Sequence, residues 1–319
     1  MMNSITLVGC GNIGSRHLQG LAKLSKKVKI KIVEPNKSAV ILAKKRLEEI
    51  PDHHKHDYEW HTSLDDLSKS EIVIIATLSR GRLKIIHELL KKENKKFLIE
   101  KMVCQSKQEY DFILKEFKKF SATGWVNTSR RYFKSYNKIK SIFGKKYPIN
   151  MTIIAGNLGL GSNAIHFVDL FSWFNEKNIL ELNGDFLHHI IHKNKRSKEF
   201  FEFSGTIFGK ISNEATLTIS FSSYENMPLT VDISTKNKRI IVNESEEKIL
   251  PIQISSTIDF KTEYQSTLTT IIVKDILTKN NCKLPLLNDS YLLHCEIFKI
   301  FNKHLNKILK KRFIVCPIT

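Results

Sequence analysis

Three stretches of the chain combine residue types and spacings that do chemistry in other settings. The first is Gly9-Cys10-Gly11-Asn12-Ile13-Gly14, which follows an apolar run and opens a helical pattern. Gly9 there permits a tight turn, Gly11 leaves room for a pyrophosphate against the backbone, and Gly14 lets the helix lie close to the sheet. The N–H groups at the helix start, at Asn12 and Ile13, face the negative phosphates. Glu34 ends the next apolar strand, 20 residues beyond Gly14. An acid at that point accepts hydrogen bonds from a ribose diol and repels the 2′-phosphate of NADP, so the expected cofactor is NAD rather than NADP. Glycines serving only as turn residues are the alternative, and strand, helix and acid together weigh against it.

The second stretch is a set of loops leaving the same sheet edge, where a ligand of such a fold lies. These are Thr77-Leu78-Ser79-Arg80, Glu100-Lys101-Met102 and Asn127-Thr128-Ser129-Arg130-Arg131. Thr77, Ser79 and Glu100 fall on the cofactor side. Lys101 follows a buried strand, where desolvation and a nearby positive ring both lower a lysine pKa and suit it to proton handling. One solvated lysine among many is the alternative. Asn127, Arg130 and Arg131 are candidates for substrate hydroxyls or an oxyanion, with ion pairing as the rival role for the arginines. The third stretch is GNLGLGSNAIHFVDLFSWF, residues 156–174, in which a glycine-rich loop turns into helix at about Asn163. His166 and Asp169 share a helical face. A histidine in a first helical turn below a glycine loop exchanges protons near neutral pH; a core histidine satisfied by Asp169 is the alternative.

These residues need a scaffold, and the apolar pattern supplies one. Apolar strands at 5–9, 29–34, 71–77, 97–101 and 122–126 alternate with helical periodicity at 13–24, 38–50, 83–92 and 107–119. Short buried strands joined by helices predict a doubly wound parallel sheet. Beyond Val126 the texture changes. Helices at 132–143 and 164–174 precede the strand-like runs FLHHIIH, FEFSGTIFG, EATLTISFSS, LTVDIST and KRIIVN, which predict a largely antiparallel open sheet. Helices at 263–279 and 289–310 close the chain. The expected division is 1–124 for the nucleotide-binding domain and 125–319 for an α+β domain that binds substrate.

At 319 residues, with 41% hydrophobic and 26% charged residues, the chain has the size and composition of two soluble globular domains. No apolar run approaches the ~20 residues that span a bilayer, and the start lacks the basic-then-apolar layout of a secretory signal. Five cysteines, odd in number and without a CxxC pair, point to reduced thiols. The expectation is a cytoplasmic protein with no membrane partner. The net charge of +19 is spread along the chain without a nucleic-acid-binding motif, so it reads as a lysine-rich solvated surface with no nucleic-acid partner. Two histidine clusters, His53, His54, His56 with His61 and His188, His189 with His192, lack matching carboxylates or cysteines. The first falls in a polar loop. In the second, neighbouring positions of an apparent strand point to opposite faces. No metal site is expected.

Taken together, GCGNIGSRHLQGL, VEP, IIAT, IEKM, HFVDL and the closing KLPLLNDSYLLH resemble the Gfo/Idh/MocA oxidoreductases over nearly the whole chain. The resemblance implies an N-terminal Rossmann domain and a C-terminal domain whose open sheet carries substrate residues and mediates homo-oligomerisation, as dimer or tetramer. It implies NAD(P)-linked hydride transfer between nicotinamide and a secondary alcohol or ketone of a sugar, cyclitol or nucleotide sugar. It also implies that Lys101 and His166 are the catalytic pair. VNTSRRYFKSY and GLGSNAIHFVDLF are similar to a subgroup linked to surface-glycan sugars. The chain departs from the family pattern at Met102, Leu78 and Arg82, and at Ser162, where the family often places an aspartate before the histidine. A non-catalytic NAD-binding regulator is the rival function that these departures favour.

Overall fold

The structure is a computed structural model that describes residues 3–177, 180–194, 197–212, 214–223, 227–252 and 258–319. The chain packs as two compact units. The first comprises residues 1–104, 108–129 and 263–287; the second comprises 105–107, 130–262 and 288–319. Residues 105–107 already belong to the second unit, the main crossing falls after Ser129, and a late segment rejoins the first unit.

The first unit is built on β1 (Ser4–Val8), α1 (Asn12–Ala22), β2 (Lys29–Val33), α2 (Lys37–Glu48), β3 (Asp57–His61), β4 (Ile72–Ile75), α3 (Arg82–Lys91), β5 (Lys96–Ile99), α4 (Lys107–Lys119) and β6 (Thr123–Val126). All six strands are parallel, in the order β3-β2-β1-β4-β5-β6. That order is the doubly wound arrangement of a Rossmann fold. β4 is apolar on both faces and fully buried, and β1 is buried from Ile5 to Val8, as strands covered by helices on both sides are. β3 was not expected: the segment around His53–His61 read as a polar loop, but Asp57–His61 pairs with β2 as a half-exposed edge strand. Its charged residues belong to an edge strand, where one side of the ladder meets solvent. His56, from the same segment, is buried, accepting from the Val28 N–H at 3.2 Å with Nδ1 and lying 3.1 Å from the Ala22 carbonyl with Nε2.

The returning segment carries a later helix, Gln265–Lys279, and lies along α1. Gly20 makes this possible, because a Cβ there would stand 2.6 Å from Thr269 Cβ. The Thr270 hydroxyl donates to the Gly20 carbonyl at 2.7 Å. Helix periodicity announces that segment, but nothing in its own sequence says which unit it covers.

The second unit contains α5 (Lys134–Phe143), β7 (Asn150–Gly156), α6 (Leu160–Asn175), β8 (Leu180–Leu187), β9 (His192–Lys193), β10 (Phe201–Glu202), β11 (Gly205–Ile211), β12 (Thr216–Ser222), β13 (Thr230–Ser234), β14 (Arg239–Asn243) and β15 (Lys248–Ile252). With the returning helix as α7, the last helix is α8 (Leu287–Leu309). The seven-stranded sheet runs β15-β14-β13-β7-β12-β11-β8, antiparallel except for the β7–β12 pair. Met151, Ile153, Leu217, Ile219, Val231 and Ile233 form its buried face, against which α6 packs. Three sequence expectations change here. β7, a central strand, was missed because the outward Ile154 masks its alternation. α6 begins at Leu160 rather than near Asn163, so His166 stands in the second turn and not the first. His188 and His189 lie beyond the end of β8, so the strand argument applied to them does not hold. Among the described residues, no helix is long and apolar enough to cross a membrane.

Candidate functional site

The glycine loop joins β1 to α1, and each glycine has a distinct steric reason. Gly9 has φ +84° and lies so close to the next strand that a Cβ would stand 2.8 Å from the Thr77 nitrogen. A Cβ on Gly14 would fall on the Gly9 carbonyl. A Cβ on Gly11 would meet nothing within 4 Å. Two glycines are thus fixed by packing and the middle one faces open space. Gly11 is also the N-cap of α1, and no side chain caps the helix. The Asn12 and Ile13 amides lie in this first turn, where a helix has backbone donors without intrahelical partners. Glu34 stands at the tip of β2 with Oε2 accepting from the Cys10 N–H at 2.7 Å and Oε1 from the Asn36 N–H at 2.9 Å. Burial, followed by the Glu34 charge, pushes the Cys10 thiol up to about 12, so it is a neutral packing group.

The carboxyl ends of β4, β5 and β6 present the next groups. Thr77 Oγ1, Thr128 Oγ1, Asn127 Oδ1 and Arg82 Nε are buried with no hydrogen-bond partner among the described residues. Buried polar atoms in this condition are uncommon, and these four gather at one sheet edge. Ser79 is buried in the same loop, and Lys101 is buried at the end of β5 with a cis peptide bond to Met102. Arg82 is 1% exposed, and its guanidinium donates to the carbonyls of Thr77, Glu100 and Met102. It thereby ties the loop after β4 to both sides of Lys101. Burial lowers its pKa from 12.5 to about 10, with the Glu100 carboxylate opposing the fall.

Glu100 itself sits in a buried polar ring. Its Oε1 is 3.0 Å from His17 Nε2 and accepts from Asn127 Nδ2. His17 Nδ1 is 2.9 Å from the Thr269 hydroxyl, and Asn127 Nδ2 reaches Gln265 Oε1 at 3.0 Å. Burial alone would push the Glu100 carboxyl up, but the hydrogen bonds from His17 and Asn127 outweigh it and hold the group below its ordinary value. Gly9, Gly11, Asn12, Ile13, Gly14, Glu34, Thr77, Ser79, Glu100, Lys101 and Asn127 thus all belong to the first unit, at the glycine loop, the tip of β2 and the carboxyl ends of β4 to β6.

Arg130, Arg131, Asn163, His166 and Asp169 belong to the second unit. Asp169, 1% exposed, accepts both guanidinium nitrogens of Arg131, at 2.8 and 2.6 Å. Its carboxylate is therefore engaged by Arg131. Arg130 makes the same fork with Glu244, at 2.9 and 2.8 Å, and stacks 4.3 Å above the Phe167 ring. Burial disfavours the Arg130 charge, and the Glu244 carboxylate more than offsets it. Both arginines form ion pairs within the second unit. His166 is half-buried on α6, with Nδ1 buried. Asn163 ties the loop before α6 by donating to the Leu158 and Gly159 carbonyls.

No protein-family model and no curated protein matches the sequence. Solved structures do match the fold. The WlbA dehydrogenase of Bordetella pertussis, solved with NADH and UDP-GlcNAcA, is 15% identical with a TM-score of 0.70, covering 94% of this chain and 96% of its own. UDP-N-acetylglucosamine 3-dehydrogenase GnnA of Acidithiobacillus ferrooxidans is 11% identical with a TM-score of 0.71, covering 94% and 97%. Scyllo-inositol dehydrogenase of Lactobacillus casei, with NAD(H) and scyllo-inositol, is 15% identical with a TM-score of 0.67, covering 96% and 98%. The two-domain fold is shared.

Set on that fold, the residues missed by sequence reasoning have a common character. His17, Gln265 and Thr269 hold other groups in place, as does Glu202, whose carboxylate accepts from the Ser162 N–H at 3.2 Å and from Asn194 Nδ2 at 2.8 Å. His17 lies three residues after Gly14 on α1, a spacing that puts it on the same helical face. Glu202 carries no such local signal.

Proposed function

We propose that the chain is an NAD-dependent oxidoreductase of the Gfo/Idh/MocA type. It moves a hydride between nicotinamide and a secondary alcohol or ketone of a sugar, cyclitol or nucleotide sugar. The observation that carries this reading is the glycine loop: Gly9 and Gly14 are locked by backbone contacts while Gly11 faces open space at an uncapped helix start. The residues fit a dinucleotide. Asn12 and Ile13 offer amides to the diphosphate, Glu34 offers a carboxylate to the adenosine ribose, and the Thr77 hydroxyl is buried without a partner among the described residues. The presence of NAD or NADH in neighbours with this fold supports the same choice.

The dinucleotide, when bound, supplies the hydride acceptor or donor. The Lys101 ammonium donates a hydrogen bond to the substrate oxygen and stabilises negative charge developing there. His166 takes the hydroxyl proton at Nε2 in oxidation and returns it in reduction. Asn127 and Asn163 supply polar contacts to substrate. Arg130, Arg131 and Asp169 act on the substrate through the elements that their ion pairs hold in position.

The test is calorimetry with NAD and NADH, followed by a screen of sugars and nucleotide sugars for reduction of NAD. Binding in the micromolar range is expected, with Glu34→Gln weaker by about tenfold and relatively more tolerant of NADP. Lys101→Met is expected to cut turnover by at least about a hundredfold while NADH affinity stays within about twofold. Failure of both dinucleotides to bind at millimolar concentration would refute the reading.

A further inference from the structure

Glu100 stands next to Lys101 and is held from several sides within the first unit. Its N–H donates to the Ile75 carbonyl at 2.9 Å, and its own carbonyl, like that of Met102, accepts from Arg82. Its carboxylate accepts from Asn127 Nδ2 and lies 3.0 Å from His17 Nε2. A carboxylate has no proton to give, so His17 Nε2–H is the donor in that contact.

His17 is fixed in its turn. It is fully buried on α1, and its Nδ1 lies 2.9 Å from Thr269 Oγ1 on α7. The Thr269 hydroxyl donates to the Gln265 carbonyl at 2.8 Å and accepts from Gln265 Nε2 at 3.0 Å. Gln265 Oε1 accepts from Asn127 Nδ2 at 3.0 Å, which closes a ring through α1, the end of β5, the end of β6 and α7. A core histidine needs only to have its two nitrogens satisfied. This one spends Nε2 on the residue that precedes the lysine. A lysine head rides on a flexible four-carbon stem, so its placement depends on the backbone that carries it. A reacting group has to be held within about 0.5 Å of its productive position.

We propose that His17 is a positioning residue, which fixes Lys101 relative to α1 through the Glu100 carboxylate. The inference rests on the dehydrogenase reading above and deepens it. One imidazole joins the helix whose start meets the diphosphate to the residue beside the lysine that meets the substrate oxygen.

The test uses two substitutions that each keep one half of the imidazole. His17→Gln places an amide N–H near the position of Nε2 and keeps the donor to Glu100. His17→Asn places one near Nδ1 and keeps only the Thr269 side. Amide exchange of the full chain without ligand reads residues 99–102. It is expected to rise about tenfold there in His17→Asn and to stay within about threefold of wild type in His17→Gln. With the sugar or cyclitol found by the screen, kcat at saturating NAD is expected to fall about tenfold or more in His17→Asn and within about threefold in His17→Gln. NADH affinity stays within about twofold in both, because the start of α1 is untouched. A purely structural His17 would lower the urea midpoint and leave kcat and local exchange of the folded protein as in wild type. Thr269→Val removes the hydroxyl behind the imidazole and leaves the Glu100 contact; exchange at 99–102 is expected to rise about threefold, and this variant decides if His17→Asn does not fold. Wild-type exchange or wild-type kcat in His17→Asn, equal losses in the Asn and Gln variants, or, with His17→Asn unfolded, wild-type exchange in Thr269→Val overturns the proposal. The exchange arm decides without a substrate. A wild type that binds no dinucleotide refutes the dehydrogenase reading, whereas a wild type that turns over beside a His17→Asn variant with the same kcat removes this inference alone.

Discussion

Replacing Arg82 by Met removes the guanidinium that holds the carbonyls of Thr77, Glu100 and Met102 while keeping an unbranched side chain in the same buried space. Hydrogen bonds from a charged donor contribute about 1.5–3 kcal/mol each, so three place the gross loss at roughly 4.5–9 kcal/mol. Against this, the variant no longer carries the desolvation penalty of a buried cation, which is several kcal/mol. The difference leaves a net destabilisation of about 3 kcal/mol, in line with breaking a buried charged contact. Urea unfolding followed by tryptophan fluorescence reads it, since Trp60 and Trp125 lie in the unit concerned. Arg82→Lys keeps the charge on a compact head that cannot span all three carbonyls, so about half of the loss is expected. Amide exchange in residues 77–82 and 100–104 should rise in both variants before global unfolding. A Met variant within about 0.5 kcal/mol of wild type, with unchanged exchange in these loops, would show that the carbonyls do not depend on Arg82 and would refute the reasoning.

Two further outcomes follow from the geometry. Gly11→Ala and Gly14→Ala should separate: the first, at φ −68° and facing open space, keeps the urea midpoint but loses dinucleotide affinity, whereas the second costs about 1–3 kcal/mol because its Cβ falls on the Gly9 carbonyl. Equal midpoints for the two variants would contradict the packing argument. His56 is held below its ordinary pKa chiefly by burial, with the Ala22 carbonyl pulling the other way. The unfolded chain therefore binds this proton at a higher pH than the folded one. Its stabilisation is complete above about pH 6.5 and is lost as pH falls through the folded value, at about 1.4 kcal/mol per unit of difference. His56→Gln should flatten the urea midpoint between pH 7 and pH 5; a steeper acid loss in the variant would reverse the sign of the argument.

The glycine loop, Glu34 and the parallel strands were legible because each has a local cause. A turn, a close approach and a strand tip act within a few residues, and glycine and acid mark them in the sequence itself. The doubly wound order followed from strands buried on both faces. Legibility ended where a side chain's partner lies far along the chain or has no side chain at all. His166 and Asp169, three apart on α6, do share a helix, but the carboxylate belongs to Arg131, 38 residues earlier. Helical spacing identifies a face, not the group that meets it. Arg82 illustrates the second limit: as a departure from the family pattern it favoured a protein that had lost its chemistry, yet its three acceptors are backbone carbonyls, which every residue carries and no sequence displays. Ser162 reads the same way. An aspartate is absent at that position, but a carboxylate is present beside it, carried by Glu202 forty residues downstream and admitted by Gly159 and Gly161. An odd residue in a site should therefore be judged by whether its charge and hydrogen bonds are balanced in space. By that measure Arg82 and Ser162 are integrated parts of their units, and the case for a degenerate site loses its main support.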